Sequence, residues 1–386
     1  MPTDALPLSK NALNTKMVKV ETSAQLKKFI DFPHDLYAND PNYVPMIFME
    51  QEALLNRKKS PFFKHSTAEY FLAYQNDKIV GRIAAIRNNN HINYTGKQEG
   101  FFGFFDVIND FEVAKLMLDT AANWLNTEGL HKMMGPANFS TNETVGLLVE
   151  NFDEPAFIMN TYNANYYVDL LEKYGFVKQI DLLCWQINTT DVPQKMIDFA
   201  DSLEKRLATR GITIRKLNMK NYDKEILNFL PIYNASWSEN TGFVPMTDAE
   251  IKQIASDLKM VVDPDFVYFA EKDGKTIGVA LTLPNVNEIQ INVKRGRLFP
   301  FGALKILMGL KKIKSVRIFA LGTLKEYRRL GIDACFYVRN MTTAREKGII
   351  RGEASWILEN NELMNRAIES MNGKVYRKYR IYEKMI

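Results

Sequence analysis

The chain reads as the same pattern twice, and that repeat limits the folds open to it more than any single motif does. Residues 68–88, AEYFLAYQNDKIVGRIAAIRN, alternate apolar and polar positions on both sides of Asn76-Asp77. Residues 266–284, FVYFAEKDGKTIGVALTLP, do the same around Asp273-Gly274. Alternation flanking such a dipeptide predicts a two-stranded hairpin. Each hairpin is followed by a segment of helical 3–4 spacing that ends in glycine, 111–129 and 331–348. A short apolar stretch follows each helix, HKMMGP and IIRGEASWIL. A second helix and a long strand then close both copies. Asn163 lies twelve residues before Gly175, and Asn361 twelve before Gly373. The shared order is helices, hairpin, strand, helix, strand, helix, strand.

One order in two copies predicts an α/β chain of two like domains, each a mixed sheet with helices on its faces. The boundaries read as 1–190 for the first copy, 191–211 for a linker with the amphipathic helix KMIDFADSLEKRLATRG, and 212–386 for the second. A length of 386 residues suits two domains. Of these residues, 46% are hydrophobic and 25% charged, an ordinary composition for a soluble globular protein. Cys184 and Cys335 stand far apart in apolar runs, and His34, His65, His91 and His131 have no ligand spacing, so neither a disulfide framework nor a metal site is expected. A net charge of +5 suits anionic ligands without requiring nucleic acid. The N-terminus carries no apolar signal region, and no run reaches the roughly 18 apolar residues of a membrane span, so a cytoplasmic location is expected.

Residues 325–337, KEYRRLGIDACFY, carry the sharpest local signal. They follow the apolar strand SVRIFALGT and open the main helix of the second copy. A helix N-terminus offers unpaired N–H groups and a partial positive charge. Gly331 allows close backbone approach, and Arg328 and Arg329 add fork-shaped donors, so the turn suits a pyrophosphate. It is neither a Walker A loop nor a dinucleotide fingerprint.

With these residues the second copy resembles the GNAT (N-acetyltransferase-like) acyl-CoA acyltransferase superfamily. Its Gln/Arg-x-x-Gly-x-Gly/Ala loop is matched by Arg328, Arg329, Leu330, Gly331, Ile332, Asp333 and Ala334, and its closing helix by Asn361, Met364 and Gly373. The first copy resembles the fold without the loop. The resemblance implies two tandem GNAT-like domains with mostly antiparallel sheets, the first degenerate. It implies acetyl-CoA or another acyl-CoA held by the second copy at 328–334 and Asn361, with the amides of Leu321, Gly322 and Thr323 on the pantetheine arm. Tandem members include N-myristoyltransferases and aminoacyl-transferring enzymes. Where many members carry a general-acid tyrosine, this chain has Ile368.

Acyl transfer from a thioester to an amine needs positioning, a base and carbonyl polarisation. Glu353, Glu359 and Tyr327 are the candidate bases near the second copy's loop and strand. Residues 133–167 form a long, polar connection. Asn138, Ser140, Thr141, Asn142 and Glu143 supply donors and acceptors there, and Tyr162, Tyr166 and Tyr167 aromatic faces, all suited to an acceptor pocket supplied by the first copy. EGFFGFFD reads as a buried strand. Residues 292–315 are an apolar insertion; between Pro284 and Leu330 stand eleven Lys/Arg against Glu288 and Glu326. Segment 299–314 could therefore touch a membrane surface or rim a cofactor channel. The expected function is an acyl-CoA-dependent N-acyltransferase acting on a small amine or amino-acid-like acceptor in the cleft between the copies. The alternatives are a non-catalytic CoA- or lipid-binding module and an aminoacyl or long-chain acyl transferase.

Overall fold

Both hairpin turns form where the dipeptides place them. Asn76 and Asp77 have φ of 47° and 61°, and Asp273 and Gly274 of 50° and 73°. Two successive positive φ values give the mirror-image turn whose twist matches that of paired strands. The computed structural model describes residues 15–238, 240 and 242–386.

The first repeat runs β1 (Thr15–Lys19), α1 (Ser23–Leu36), α2 (Phe48–Leu55), β2 (Thr67–Gln75), β3 (Lys78–Arg87), α3 (Asn89–Thr95), β4 (Glu99–Val107), α4 (Phe111–Thr127), β5 (Lys132–Gly135), β6 (Leu147–Glu150), α5 (Tyr167–Tyr174) and β7 (Val177–Asn188). Helix α6 (Gln194–Ala208) joins the repeats. The second runs β8 (Ile212–Lys216), α7 (Tyr222–Trp237), α8 (Asp248–Leu258), β9 (Val267–Lys272), β10 (Lys275–Pro284), α9 (Asn287–Gln290), α10 (Gly302–Gly309), β11 (Ser315–Thr323), α11 (Ile332–Glu346), β12 (Arg351–Leu358), α12 (Glu362–Ser370) and β13 (Lys374–Met385).

The strands make one sheet in the order β1-β2-β3-β4-β5-β13-β7-β12-β11-β10-β9-β8, with β6 on β13. Among the described residues only β4/β5 and β11/β12 are parallel. This is the tandem mixed, mostly antiparallel architecture the sequence predicts, with one addition. The last strand of each repeat crosses over: β7 pairs with β12, and β13 pairs with β5, while β7 and β13 pair with each other at the centre. The edge strands β1 and β8 and the short β6 have no counterpart in the sequence reading.

Amphipathic spacing explains how the helices cover the sheet. On α4, Val113, Ala114, Met117, Leu118, Ala121 and Leu125 are fully buried. Gly81 lets this helix lie close to β3, since a Cβ there would stand 2.3 Å from the Met117 sulfur. Every residue of β4 is buried, as the phenylalanine run predicts.

The parallel pairs are short. β4 and β5 stay paired only from Glu99↔Lys132 to Phe101↔Met134, and β11 and β12 from Ser315↔Arg351 to Ile318↔Ala354. Beyond those points the strands diverge, and each repeat has a fork in its sheet.

Candidate functional site

The two forks differ in what fills them. In the first repeat the amide of Phe104, just past the fork, donates to Asn138 Oδ1 at 2.7 Å. Helix α4, which follows, is capped by Asp110, whose carboxylate takes the N–H groups of Glu112 (2.9 Å) and Val113 (3.3 Å). The strand amide and the helix N-terminus that could meet an anionic ligand are thus spent on the chain's own side chains.

In the second repeat α11 begins at Gly331 with φ +88° and no capping side chain. Its first-turn N–H groups carry the helix's partial positive charge, and Arg329 stands exposed beside them. Asp333 turns inward, its carboxyl accepting from the Thr323 hydroxyl. Burial pushes its pKa up, against the opposing pull of Thr323 and Arg328. Held by Thr323, this carboxyl faces β11. Arg328 reaches the carbonyls of Thr323 and Ser236, each at 3.4 Å.

Gly331 has a tighter job than the sequence reading gives it. A Cβ there would sit 2.8 Å from Leu203 of α6, so the glycine admits the linker helix against α11. Gly322 likewise faces α7, with a Cβ position 2.6 Å from Ser236. Leu321 and Ile332 are core residues, with Leu330 and Ala334 packed against the same cluster. Asn361 caps α12, accepting from Met364 N at 3.2 Å.

Glu353, Glu359 and Tyr327 occupy three different settings and share no hydrogen-bond partner. Glu353 is fully buried on β12. It accepts from Asn160 Nδ2 at 2.7 Å, from Ser355 Oγ at 2.5 Å and from the Tyr376 hydroxyl. Arg317, opposite it on β11, donates to Ser355 Oγ (2.9 Å) and to the Ile158 carbonyl (2.6 Å). Glu359 lies at the surface beyond β12, held by Lys178 Nζ (2.7 Å) and the Asp181 amide (3.0 Å). Tyr327 packs beside the α11 cluster, with Lys272 Nζ 5.8 Å from its ring centre.

A cavity of about 360 Å³ opens between the repeats. One wall is first-repeat: Tyr43, Ile47 and Leu54 around α2, Phe104–Asp106 beyond the fork, and loop residues Asn138–Ser140 and Asn142–Thr144. The other is second-repeat: Ile254, Leu258 and Val261 around α8, then Val286, Leu298, Ala303 and Ile306. Cross-repeat hydrogen bonds hold it together. Asn142 Nδ2 donates to the Val244 carbonyl (2.8 Å), Tyr233 donates to Asn142 Oδ1 (2.9 Å), and Asn287 Nδ2 donates to the Ala156 carbonyl (2.8 Å). None of Leu321–Thr323, Arg328–Ala334 or Asn361 lines it. It nonetheless backs onto the second fork, because its wall residues Ile158 and Asn160 are those bonded to Arg317 and Glu353.

The lining is apolar with an acidic bias. Among the described residues its charged members are Glu50, Asp106, Glu143, Glu250, Asp257 and a single cation, Arg82. Arg82 is already bound, donating to Asp106 at 2.7 Å and to the Phe29 carbonyl at 2.8 Å. Glu250 is held ionised by His65 (3.1 Å) and by the Thr247 amide, against its burial. Burial, with Glu250 and Asp257 nearby, raises the Glu143 carboxyl to about 7. Gln51, 5% exposed, presents an Oε1 without a protein partner. Asn160 Oδ1 is in the same condition. The arrangement can attract a cation, take a proton from it near neutral pH and accept hydrogen bonds from its donors.

Of the long connection, Asn138, Ser140, Asn142, Glu143 and Tyr162 line the cavity. Thr141 instead ties the loop to the Gly242 carbonyl, and Tyr166 and Tyr167 bond to the backbone of Val107. Glu50, Gln51, Glu250 and Asp257 carry no sequence signal. They lie on helices some 200 residues apart and converge only through the tertiary packing of α2 and α8.

No family model matches the chain. The protein described as bacterial ceramide synthase of Caulobacter vibrioides (strain NA1000 / CB15N) is 36% identical over 389 residues, spanning 99% of this chain and 100% of its own. Protein YghO of Escherichia coli (strain K12) is 35% identical over 370 residues, spanning 94% and 93%. Among solved structures, a tandem GNAT protein from the clavulanic acid biosynthesis pathway superposes with a TM-score of 0.58 at 8% identity, over 96% of this chain and 98% of that one. A GCN5-related N-acetyltransferase from Sphaerobacter thermophilus superposes with a TM-score of 0.50 at 10% identity, over 96% of both. These two structures share the fold.

Proposed function

Since the chain belongs to the family of the Caulobacter bacterial ceramide synthase and YghO, and is an acyltransferase of the GNAT fold, we propose that it joins a fatty acyl group to the amine of a long-chain amphiphile. The observation that carries this reading is the cavity: apolar walls from both repeats, with carboxylates such as Glu50 and Glu143 and, among the described residues, no free cation in the lining. Ceramide is the N-acyl derivative of a long-chain amino alcohol. Such a molecule has one positive end and one apolar end, which are the two complements the cavity offers. Each methylene taken from water contributes about 0.8 kcal/mol, so a long chain would outweigh the small-amine acceptor expected from the sequence.

The residues divide the work as follows. Glu143 receives the proton of the bound ammonium, and its raised pKa of about 7 matches that task at neutral pH. Glu250 and Asp257 add negative charge around the amine. Gln51 Oε1 and Asn160 Oδ1 accept from amine or hydroxyl donors and so fix its orientation. Glu353 acts at one remove, by fixing Asn160.

An acyl-CoA supplies the activated thioester carbonyl. The residues suited to it are the uncapped N-terminus of α11 and Arg329 for the pyrophosphate, and the Leu321–Thr323 strand for the pantetheine arm. The first repeat offers no equivalent, because Asp110 and Asn138 fill its helix end and strand amide.

The test is incubation of the full chain with palmitoyl-CoA and either sphinganine or ethanolamine, following thiol release and amide product by mass spectrometry. N-acyl-sphinganine formed at least a hundredfold faster than N-acyl-ethanolamine is the expected result. Equal rates on both amines, or no thiol release with either, would reject the reading.

A further inference from the structure

The insertion helix α10 has two apolar faces, and only one is covered. Ala303 and Ile306, with Leu298 before them, line the cavity. On the other side Phe299, Phe301 and Met308 are 76%, 67% and 68% exposed, and Leu304 and Leu307 are more than half exposed. Among the described residues, five of the sixteen exposed large apolar side chains fall within this stretch of ten. Phe301, Leu304 and Met308 follow i, i+3, i+7 spacing and so share one side of the helix. The helix is firmly seated on the protein. A Cβ at Gly309 would stand 2.6 Å from Ile289, and one at Gly302 2.3 Å from the Arg297 carbonyl. Arg297 and Arg295 pin the preceding loop to Asp31 of α1 at 2.9 and 3.3 Å.

The rim of this apolar face is basic. Lys294, Lys305, Lys311 and Lys312 are exposed, and among the described residues they form no ion pair. No carboxylate occurs in sequence between Glu288 and Glu326. We propose that α10 and the loop before it seat on an anionic bilayer surface, so that the cavity behind them opens towards the lipid leaflet. Apolar side chains ringed by lysines match the acyl boundary and phosphate layer of such a surface. A second copy of this chain would bring lysine rims together and repel. At eight residues α10 lies along an interface and does not cross it. The proposal deepens the long-chain reading of the cavity and supplies the route by which a poorly soluble amine reaches it.

The experiment is sedimentation of the full chain with phosphatidylglycerol-containing vesicles and with pure phosphatidylcholine vesicles, in low and high salt. Two variants accompany it, Phe301→Asp/Leu304→Asp/Met308→Asp and Lys311→Glu/Lys312→Glu; all five positions are exposed and outside the cavity lining. The wild type is expected to bind the anionic vesicles with an affinity that falls with salt. Each variant should need at least ten times more lipid for half-saturation, while acyl transfer to detergent-dispersed amine stays unchanged. No vesicle binding by the wild type, or equal binding by the apolar triple variant, would overturn docking and leave the activity reading intact. So would a solution dimer that the same triple variant dissolves, since a second copy would then own the face. Vesicle binding without acylation of any dispersed amine would support docking and reject the activity.

Discussion

Asn160 donates its side-chain amide to Glu353 at 2.7 Å, and this bond, with that from Arg317 to the Ile158 carbonyl, joins the cavity wall of the first repeat to the fork of the second. Glu353 and Arg317 are both buried there and share the Ser355 hydroxyl, so removing Glu353 leaves the donors of Asn160, Ser355 and Tyr376 without their acceptor. Glu353→Ala should cost about 3–5 kcal/mol of stability, read from urea unfolding midpoints. Asn160→Ala should cost no more than about 1–2 kcal/mol and act mainly on acyl transfer. Equal losses of stability would show that the bond is structural only.

Glu143→Gln should keep the fold and lower kcat/KM for the long-chain amine by about 10²–10⁴-fold. The wild-type rate should rise with pH through about 7, the value to which burial lifts this carboxyl. The residual rate of the variant should lose that inflection. An unchanged profile would move the base elsewhere.

The same carboxyl makes a stability statement. It holds its proton more tightly when folded than its ordinary value of 4.5 allows, so folding takes up a proton between roughly pH 4.5 and 7. Its contribution is therefore fully present below that window and lost as pH rises through it. His34, lowered to about 4 by burial and Arg82, slopes the other way between 4 and 6.5. The informative quantity is the difference between wild type and Glu143→Gln. Chemical unfolding at pH 5 and pH 8 should show the wild type losing about 2–3 kcal/mol relative to the variant.

Arg329→Ala should weaken acyl-CoA binding about tenfold by calorimetry, with a reduced salt dependence, and leave the melting temperature unchanged. Asp110→Ala, at the matching helix end of the first repeat, should do the reverse, costing about 1 kcal/mol of stability through loss of its cap. Unchanged acyl-CoA binding in Arg329→Ala would move the pyrophosphate away from the α11 helix start.

The repeat, its hairpins and its helices are legible in the sequence because each is written in local periodicity. Asn76-Asp77 needs no distant partner to make its turn, and the buried face of α4 can be read from spacing alone. The loop from Asn138 to Glu143 is legible as polar chemistry in an over-long connection. Glu50 and Asp257 are not, since an acidic residue on a helix looks the same whether it faces solvent or a cavity. Gly331 shows the limit of a motif. Its loop identifies the family resemblance, but the contact with Leu203 that also requires a glycine there comes from a helix over 120 residues earlier.

The exchanged strands have a consequence for synthesis. β5 is complete once Gly135 has left the ribosome, but its partner β13, 374–385, is made more than two hundred residues later. Through the translation of more than two hundred residues, the first repeat carries an open sheet edge at Lys132–Gly135, bordered by apolar Met133 and Met134. Such an edge is a template for mispairing with a neighbouring nascent chain. Loss of β13 should accordingly expose the first repeat, although the missing strand belongs by sequence to the second. Protease sensitivity in a chain ending at Gly373 should appear first around β5 and β6, some 240 residues from the truncation.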